Sequence, residues 1–347
     1  MKKLIALTLI IISIFTLASC SIFHQGENNN DNNSGSSGNS ETRGKIRVGY
    51  LTGPTGMGMA KLIIDNNGLD GGNQYYEFKK YADTTAAKAD LAAGKVDVIC
   101  LPTNEAAMYQ ANVDADAKLL AVNCLNSLFV ISSVSTDEEA INTLEDLEGK
   151  TIYTCKNGTP RVVIEYILKE LGINAEVSYT IDGKDMVTPA DVSAQVMAGN
   201  IPNAVLPEPL ISTIEITTGA SSQLGSVYLR CIDLSDEWAK INETPITMGC
   251  LVANGEFAKN NKYTLNAFLD EYKASVEFIG NPENINSAAD YIQKTTILPK
   301  LPVALSALRG LEGSIAYIDG EEMKNALVNF YSAIGVSLPA ESFYYEK

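Results

Sequence analysis

From Lys45 onward, short apolar runs alternate with helical runs that stop at glycine, and this pattern limits the fold more than any other feature of the chain. Residues 46–51 read as a strand that runs into the turn Thr52-Gly53-Pro54-Thr55-Gly56. A helix is predicted over 57–66, where Met59, Leu62 and Ile63 share a face. Residues 75–81 form a second strand, and the alanine-rich run 84–93 a helix stopped by Gly94, the expected place for a left-handed cap. A third strand, 96–101, ends at Pro102. A helix over 104–111 and a fourth strand over 119–122 follow. Repeated βαβ units of this length predict a parallel sheet with helices on both faces.

The series restarts after the apolar run 128–132. A strand over 151–155 meets the loop Lys156-Asn157-Gly158-Thr159-Pro160, which opens a helix to about residue 171, before Gly172. A strand at 177–180, a helix at 190–198 and a short strand at 204–206 lead to Pro207-Glu208-Pro209. Residues 246–253 read as a strand crossing back to the first unit. The remainder is helical over 264–279, 286–295, 303–308 and 321–334. The expected fold is therefore α/β with two lobes and a cleft between them. Residues 45–124 with about 250–347 form one lobe and about 125–249 the other.

The first 44 residues are of another kind. Lys2 and Lys3 precede a run without charge from Leu4 to Leu17, and Leu17-Ala18-Ser19-Cys20 closes it. A basic head, a short apolar stretch and small residues at its end read as a secretory signal. With the cysteine that follows, it resembles a bacterial lipoprotein signal, which implies removal of residues 1–19 and diacylation of Cys20. Residues 20–44 are then a tether, almost free of apolar side chains from His24 to Gly44. Such a segment buries too little surface to offset its ordering entropy, and about twenty residues of it span roughly 25 Å. The expected location is the extracytoplasmic face of the cell membrane, held by lipid.

Charge and composition narrow the function. The sequence carries 42 acidic and 26 basic residues; removing residues 1–19 takes two lysines, leaving a net charge of −18. That excess argues against nucleic acid and against adsorption to anionic lipid. His24, in the tether, is the only histidine, so Ser-His and Cys-His catalysis are excluded from the body. Cys100, Cys124, Cys155, Cys231 and Cys250 are widely spaced with no C-x-x-C pair, so no metal or cofactor site is expected. Their apolar strand contexts predict mostly reduced, buried thiols; a single disulfide among them stays open. The chain is expected to be a monomer and not an enzyme.

The body resembles the solute-binding proteins of ABC importers, in particular the family of nitrate, taurine, aliphatic-sulfonate and thiamine-precursor binding proteins. The segments that carry the likeness are IRVGYLTGPTGMGMAKL, LAAGKVDVICLP, LEDLEGKTIYTCKNGTPRVVIEYILKELGI and VMAGNIPNAVLPEPLIS. The resemblance covers residues 45 to about 335. It implies a type II-like periplasmic-binding-protein fold that closes on a small organic or oxyanionic nutrient and delivers it to an ABC permease and its ATPase. The alternative on the same fold is a lipid-anchored sensor or adhesion protein without transport.

In open α/β sheets, ligands bind beyond the carboxyl ends of strands, where loops lead into helix starts. Four places qualify. Thr55, Gly56, Met57 and Gly58 form a glycine-rich loop whose amides suit a carboxylate, sulfonate, nitrate or carbonyl oxygen. Asn157, Gly158 and Thr159 are its counterpart in the second unit, with Thr159 equally suited to capping the helix that Pro160 begins. Thr103 and Asn104 follow the third strand, where Asn104 can both donate and accept or cap a helix. Glu208, between two prolines, can accept from an amine or heterocyclic N–H, or favour the dipole of the next helix. The sharpest expectation is that the Thr55–Gly58 and Asn157–Thr159 loops grip the solute from opposite lobes.

Overall fold

The computed structural model describes residues 42–112, 116–134, 140–219 and 228–347. Cys20, the expected signal peptide and the expected tether as far as residue 41 lie outside the described residues. Residues 41–347 form one compact unit.

Two five-stranded sheets organise that unit. The first joins β1 (Ile46–Leu51), β2 (Tyr76–Tyr81), β3 (Val98–Pro102), β4 (Ala117–Leu125) and β12 (Thr247–Asn254), in the order β2-β1-β3-β12-β4. The second joins β5 (Leu128–Val134), β6 (Thr151–Tyr153), β7 (Glu176–Ser178), β10 (Asn203–Pro207) and β11 (Tyr228–Asp233), in the order β11-β5-β10-β6-β7. A hairpin of β8 (Thr180–Ile181) and β9 (Lys184–Asp185) stands beside it. The expectation of parallel sheets needs correction. β1 pairs in parallel with β2 and β3, but β12 runs antiparallel to both β3 and β4. In the second sheet β6 is parallel to β7 and β10, whereas β5 is antiparallel to β10 and β11. The reversed strands include those that enter or leave a sheet at a crossing, so their direction follows the chain's path between the sheets rather than a local βαβ rule.

Helices cover the sheets: α1 (Pro54–Met57), α2 (Ala60–Asp65), α3 (Thr84–Ala92), α4 (Thr103–Asn112), α5 (Thr159–Leu171), α6 (Pro189–Met197), α7 (Leu210–Thr218), α8 (Leu234–Ala239), α9 (Gly255–Asn260), α10 (Lys262–Gly280), α11 (Ile285–Lys294), α12 (Leu301–Gly310) and α13 (Gly320–Ala333). The helix predicted over 57–66 is two pieces, because tight turns closed by Gly56 N–H on the Gly53 carbonyl and Met59 N–H on the Gly56 carbonyl, each 3.0 Å, break it at Gly58. No periodicity announced β11, α8, α9 or the hairpin. These elements are short, and packing decides them.

One face of the first sheet buries Val48, Val98 and Leu251 against Phe268, Tyr272 and Val276 of α10. Its other face buries Leu51, Ile99 and Leu101 in a cluster that includes Leu327, Phe330 and Tyr331 of α13 and continues to Leu128, Val130, Ile152 and Trp238 of the second unit. A third cluster sets Ile131, Ala204 and Leu206 against Val192 of α6 and Ile211 of α7. Cys100, Cys124, Cys155 and Cys250 are free and buried within these clusters. No helix of the described residues is long and apolar enough to cross a membrane.

Asn126 ties the crossings together. It sits between β4 and β5 with φ +42°, a left-handed conformation that asparagine tolerates better than most residues. Its N–H donates to the Ile246 carbonyl and its Oδ1 accepts from the Ile246 N–H, both at 3.0 Å. Its own carbonyl accepts from Ser314 Oγ at 3.2 Å. The outgoing and returning strands are thus clasped side by side.

Candidate functional site

The four loops named from the sequence all follow carboxyl ends of strands: β1 and β3 in the first sheet, β6 and β10 in the second. Two of them meet. Thr159 Oγ1, at the first turn of α5, donates to Asn104 Oδ1 of α4 at 3.2 Å, and both side chains are buried. This bond joins the two sheets' edges directly.

Thr103 is placed differently. Its hydroxyl donates to the Thr247 carbonyl at 2.6 Å, and its own carbonyl accepts from Tyr331 Oη at 2.8 Å. It locks β12 and α13 to the start of α4. Asn157 is exposed, and its carbonyl lies 2.9 Å from the Cys155 thiol, which donates to it. Burial raises that thiol to about 11, so it stays protonated at neutral pH. Gly158 is exposed and has φ +98°.

The Thr55 loop is held within its own lobe. Asn123 Nδ2 donates to the Thr55 carbonyl at 3.0 Å and to Tyr272 Oη at 2.6 Å. Met57 is fully buried in the α10 core, so its side chain serves packing. Gly56 and Gly58 are close-packed: a β-carbon on Gly56 would overlap the Leu51 carbonyl, and one on Gly58 would lie 2.8 Å from Val276 Cγ2. Among the described residues no hydrogen bond joins this loop to Asn157 or Thr159; Thr159 bonds to Asn104 instead.

Asn123 was not singled out in the sequence. Its signal was a lone amide inside the apolar strand LLAVNCL. The two Nδ2 bonds fix the amide, and Oδ1 is a buried acceptor without a hydrogen-bond partner, as is the Thr247 hydroxyl. Gly249 makes room for it: a β-carbon there would stand 2.6 Å from Oδ1 and 2.7 Å from Thr55 Cγ2. Gly249 pairs with Pro102, at the carboxyl end of β3, so this polar cluster lies on the edge that the loops crown.

Glu208 is buried at 5% exposure, and the peptide to Pro209 is cis. Its N–H donates to the Ser127 carbonyl at the crossing, and its carboxyl accepts from the Ser212 hydroxyl at 3.1 Å and amide at 3.3 Å. Burial pushes its pKa up to about 7, against the pull of the Ser212 bonds and aided by the nearby Glu215 carboxylate. Among the described residues no group of three or more histidines, cysteines or acids stands close enough to hold a metal.

The sequence profile of the family described as NMT1/THI5 like matches residues 76–285. The chain belongs to this family. A search of curated proteins gave no match. Among solved structures, this NMT1/THI5-like chain is similar to an ABC transporter from Parabacteroides distasonis, at 20% identity and a TM-score of 0.66, covering 87% of this chain and 99% of that one. It is similar to the periplasmic aliphatic sulphonate binding protein SsuA from Escherichia coli, at 16% identity and 0.62, covering 88% and 93%. The periplasmic nitrate-binding protein NrtA from Synechocystis PCC 6803 matches at 14% and 0.53, covering 81% and 74%. At such identities the likeness is one of fold: the two-lobed periplasmic-binding architecture expected from the sequence.

Proposed function

We propose that this chain is the extracytoplasmic solute-binding component of an ABC importer and captures a small polar solute between its lobes. The observation that carries the reading is the Thr159–Asn104 hydrogen bond, because it joins strand-end loops of the two sheets at the edge where α/β folds bind ligands. The neighbouring ABC-transporter structures support the import role. A ligand drives closure only through tighter binding to the closed form, and groups contributed by both lobes provide that difference.

The groups at this edge favour an N–H-bearing solute over a bare oxyanion. Asn123 Oδ1 is a buried acceptor, and among the described residues no lysine or arginine bonds to it or to the Glu208 carboxyl. Amides at the start of α5 are left to a carbonyl or acid oxygen of the same molecule. Calorimetric titration with taurine, longer alkanesulfonates, nitrate and aminopyrimidines tests this. Saturable binding of an amine- or ring-N–H-bearing compound is expected, with nitrate inert. Binding of nitrate alone would reject the solute class, and silence across a broad solute library would reject the binding role.

Anchoring through Cys20 completes the proposal, supported by the lipoprotein-like start. Cys20→Ala is expected to leave unprocessed or released protein on membrane fractionation. A correctly processed Cys20→Ala protein retained in full on the membrane would contradict lipid anchoring there.

A further inference from the structure

Helices α7 and α12 meet across the two lobes, and their seam sets acids against small residues. α12 belongs to the first lobe, where Ala304, Ala307 and Leu308 pack in the cluster of Leu265 and Phe268. α7 belongs to the second, where Ile211 and Ile214 pack in the cluster of Val192 and Leu206. Between them, Ser306 Oγ donates to Glu215 Oε2 at 3.4 Å. One turn further along α12, a β-carbon on Gly310 would stand 2.7 Å from Glu208 Oε1. Glu208 precedes α7 and Glu215 lies within it, and both side chains reach α12, at Gly310 and Ser306.

Among the described residues no cation bonds to them. The bonds to Glu208 come from Ser212 and the bond to Glu215 from Ser306. Other charged groups on the packed elements point to other partners or to water. Arg309, next to Gly310 on α12, is exposed and forms no ion pair among the described residues. On α6, which packs against α7, the Asp191 carboxylate accepts from the Val187 and Thr188 amides. The crossing that supplies the Ser127 carbonyl to Glu208 is uncharged at Asn126 and Ser127. Ionising both acids in the closed seam therefore carries a desolvation cost, largest at buried Glu208, against which only the Ser212 and Ser306 bonds act. Opening the seam rehydrates them.

We propose that the α7–α12 seam is a proton-sensitive latch on lobe closure: with Glu208 and Glu215 neutral the seam shuts, and with both ionised it is driven open. Burial raises both carboxyls, Glu208 to about 7. In an open, hydrated seam they return toward the ordinary glutamate value of about 4.3. The closed form thus binds more protons. Its advantage is fully present below the open-form value and is lost as pH rises toward the closed-form value.

Pulsed electron-spin distance measurements test this on the dialysed protein without added solute, with labels at exposed Lys169→Cys on α5 and Asn260→Cys on α9. The ratio of short to long distances is expected to fall at least tenfold, the factor for about one unit of pKa displacement, between pH 5 and pH 8. E208Q/E215Q is expected to abolish that dependence. Gly310→Ala, which wedges a methyl against Glu208, is expected to widen the distances even at pH 5. Identical distributions at both pH values in the unsubstituted body, or a pH response that survives in E208Q/E215Q, would overturn the latch. If the double variant does not fold, unchanged short distances in Gly310→Ala at pH 5 overturn it. Because no solute is present, failure here leaves the binding role standing.

Discussion

The loop from Gly53 to Gly58 and the loop from Asn157 to Thr159 follow equivalent strand ends; Gly53 and Gly158 both hold a positive φ in open space, but Gly56 and Gly58 serve a different end. In the first, Gly56 sits against the Leu51 carbonyl, Gly58 against Val276, and Met57 inside the core. The Gly58 carbonyl also accepts from Ser275 Oγ at 2.6 Å. In the second, a β-carbon on Gly158 would meet nothing nearer than Pro160 Cδ, at 3.8 Å. There glycine is required by φ +98° rather than by crowding. One loop is an extension of the packed core; the other is an open joint whose Thr159 reaches the facing lobe. Similar glycine-rich sequences therefore do not imply similar roles, and the Gly56→Val substitution is a test of packing rather than of ligand approach.

Substitutions at the two loops can break this contrast. Gly56→Val should have the largest effect, a loss of about 3 kcal/mol or failure to fold, since backbone rather than a flexible side chain stands in the way. A wild-type urea midpoint for that variant would show the first loop to be loose. Asn123→Ala comes next. It strips the Thr55 carbonyl and Tyr272 hydroxyl of a buried donor, for an expected loss of about 2 kcal/mol. Chemical denaturation reads the loss, and protection of the Thr55 loop amides in hydrogen exchange should fall with it. Gly158→Ala should cost about 1 kcal/mol of backbone strain, with no clash, so its thermal midpoint should drop less than that of either first-lobe variant. Thr159→Val should move stability least, by under about 1 kcal/mol, while weakening the solute found by titration about tenfold, or about 1.4 kcal/mol. Equal affinity in Thr159→Val and the unsubstituted chain would remove the second loop from the site.

Much of the candidate site was legible because it is local. Strand ends, helix starts and glycine stops depend on a few neighbouring residues, and Gly94 and Gly172 do adopt the left-handed conformation their positions predicted. Asn104, Thr159 and Glu208 were read from the same logic. What they touch was not legible. Nothing near Asn104 announces that its oxygen will meet a residue 55 positions away, and reading Glu208 as an acceptor or a partner of the next helix's dipole gave no sign that it packs against α12. Asn123 was passed over because an amide in an apolar strand carries no motif, and its role comes from Thr55, Tyr272 and Gly249 together.

An α/β chain, many of its helix starts and glycine stops, and the loops at strand ends follow from the residues in sequence. Those properties rest on side-chain period, glycine conformations and turn chemistry within a few residues. How distant segments meet set the direction of β5 and β12, which turned the expected parallel sheets into mixed ones. Packing likewise brings Glu208 and Glu215 against α12, with no cation bonded to either among the described residues. Strand direction and charge environment depend on how distant segments meet, and the same local residues fit either strand direction. The free energies of burial and desolvation that choose between them exist only once both lobes are folded.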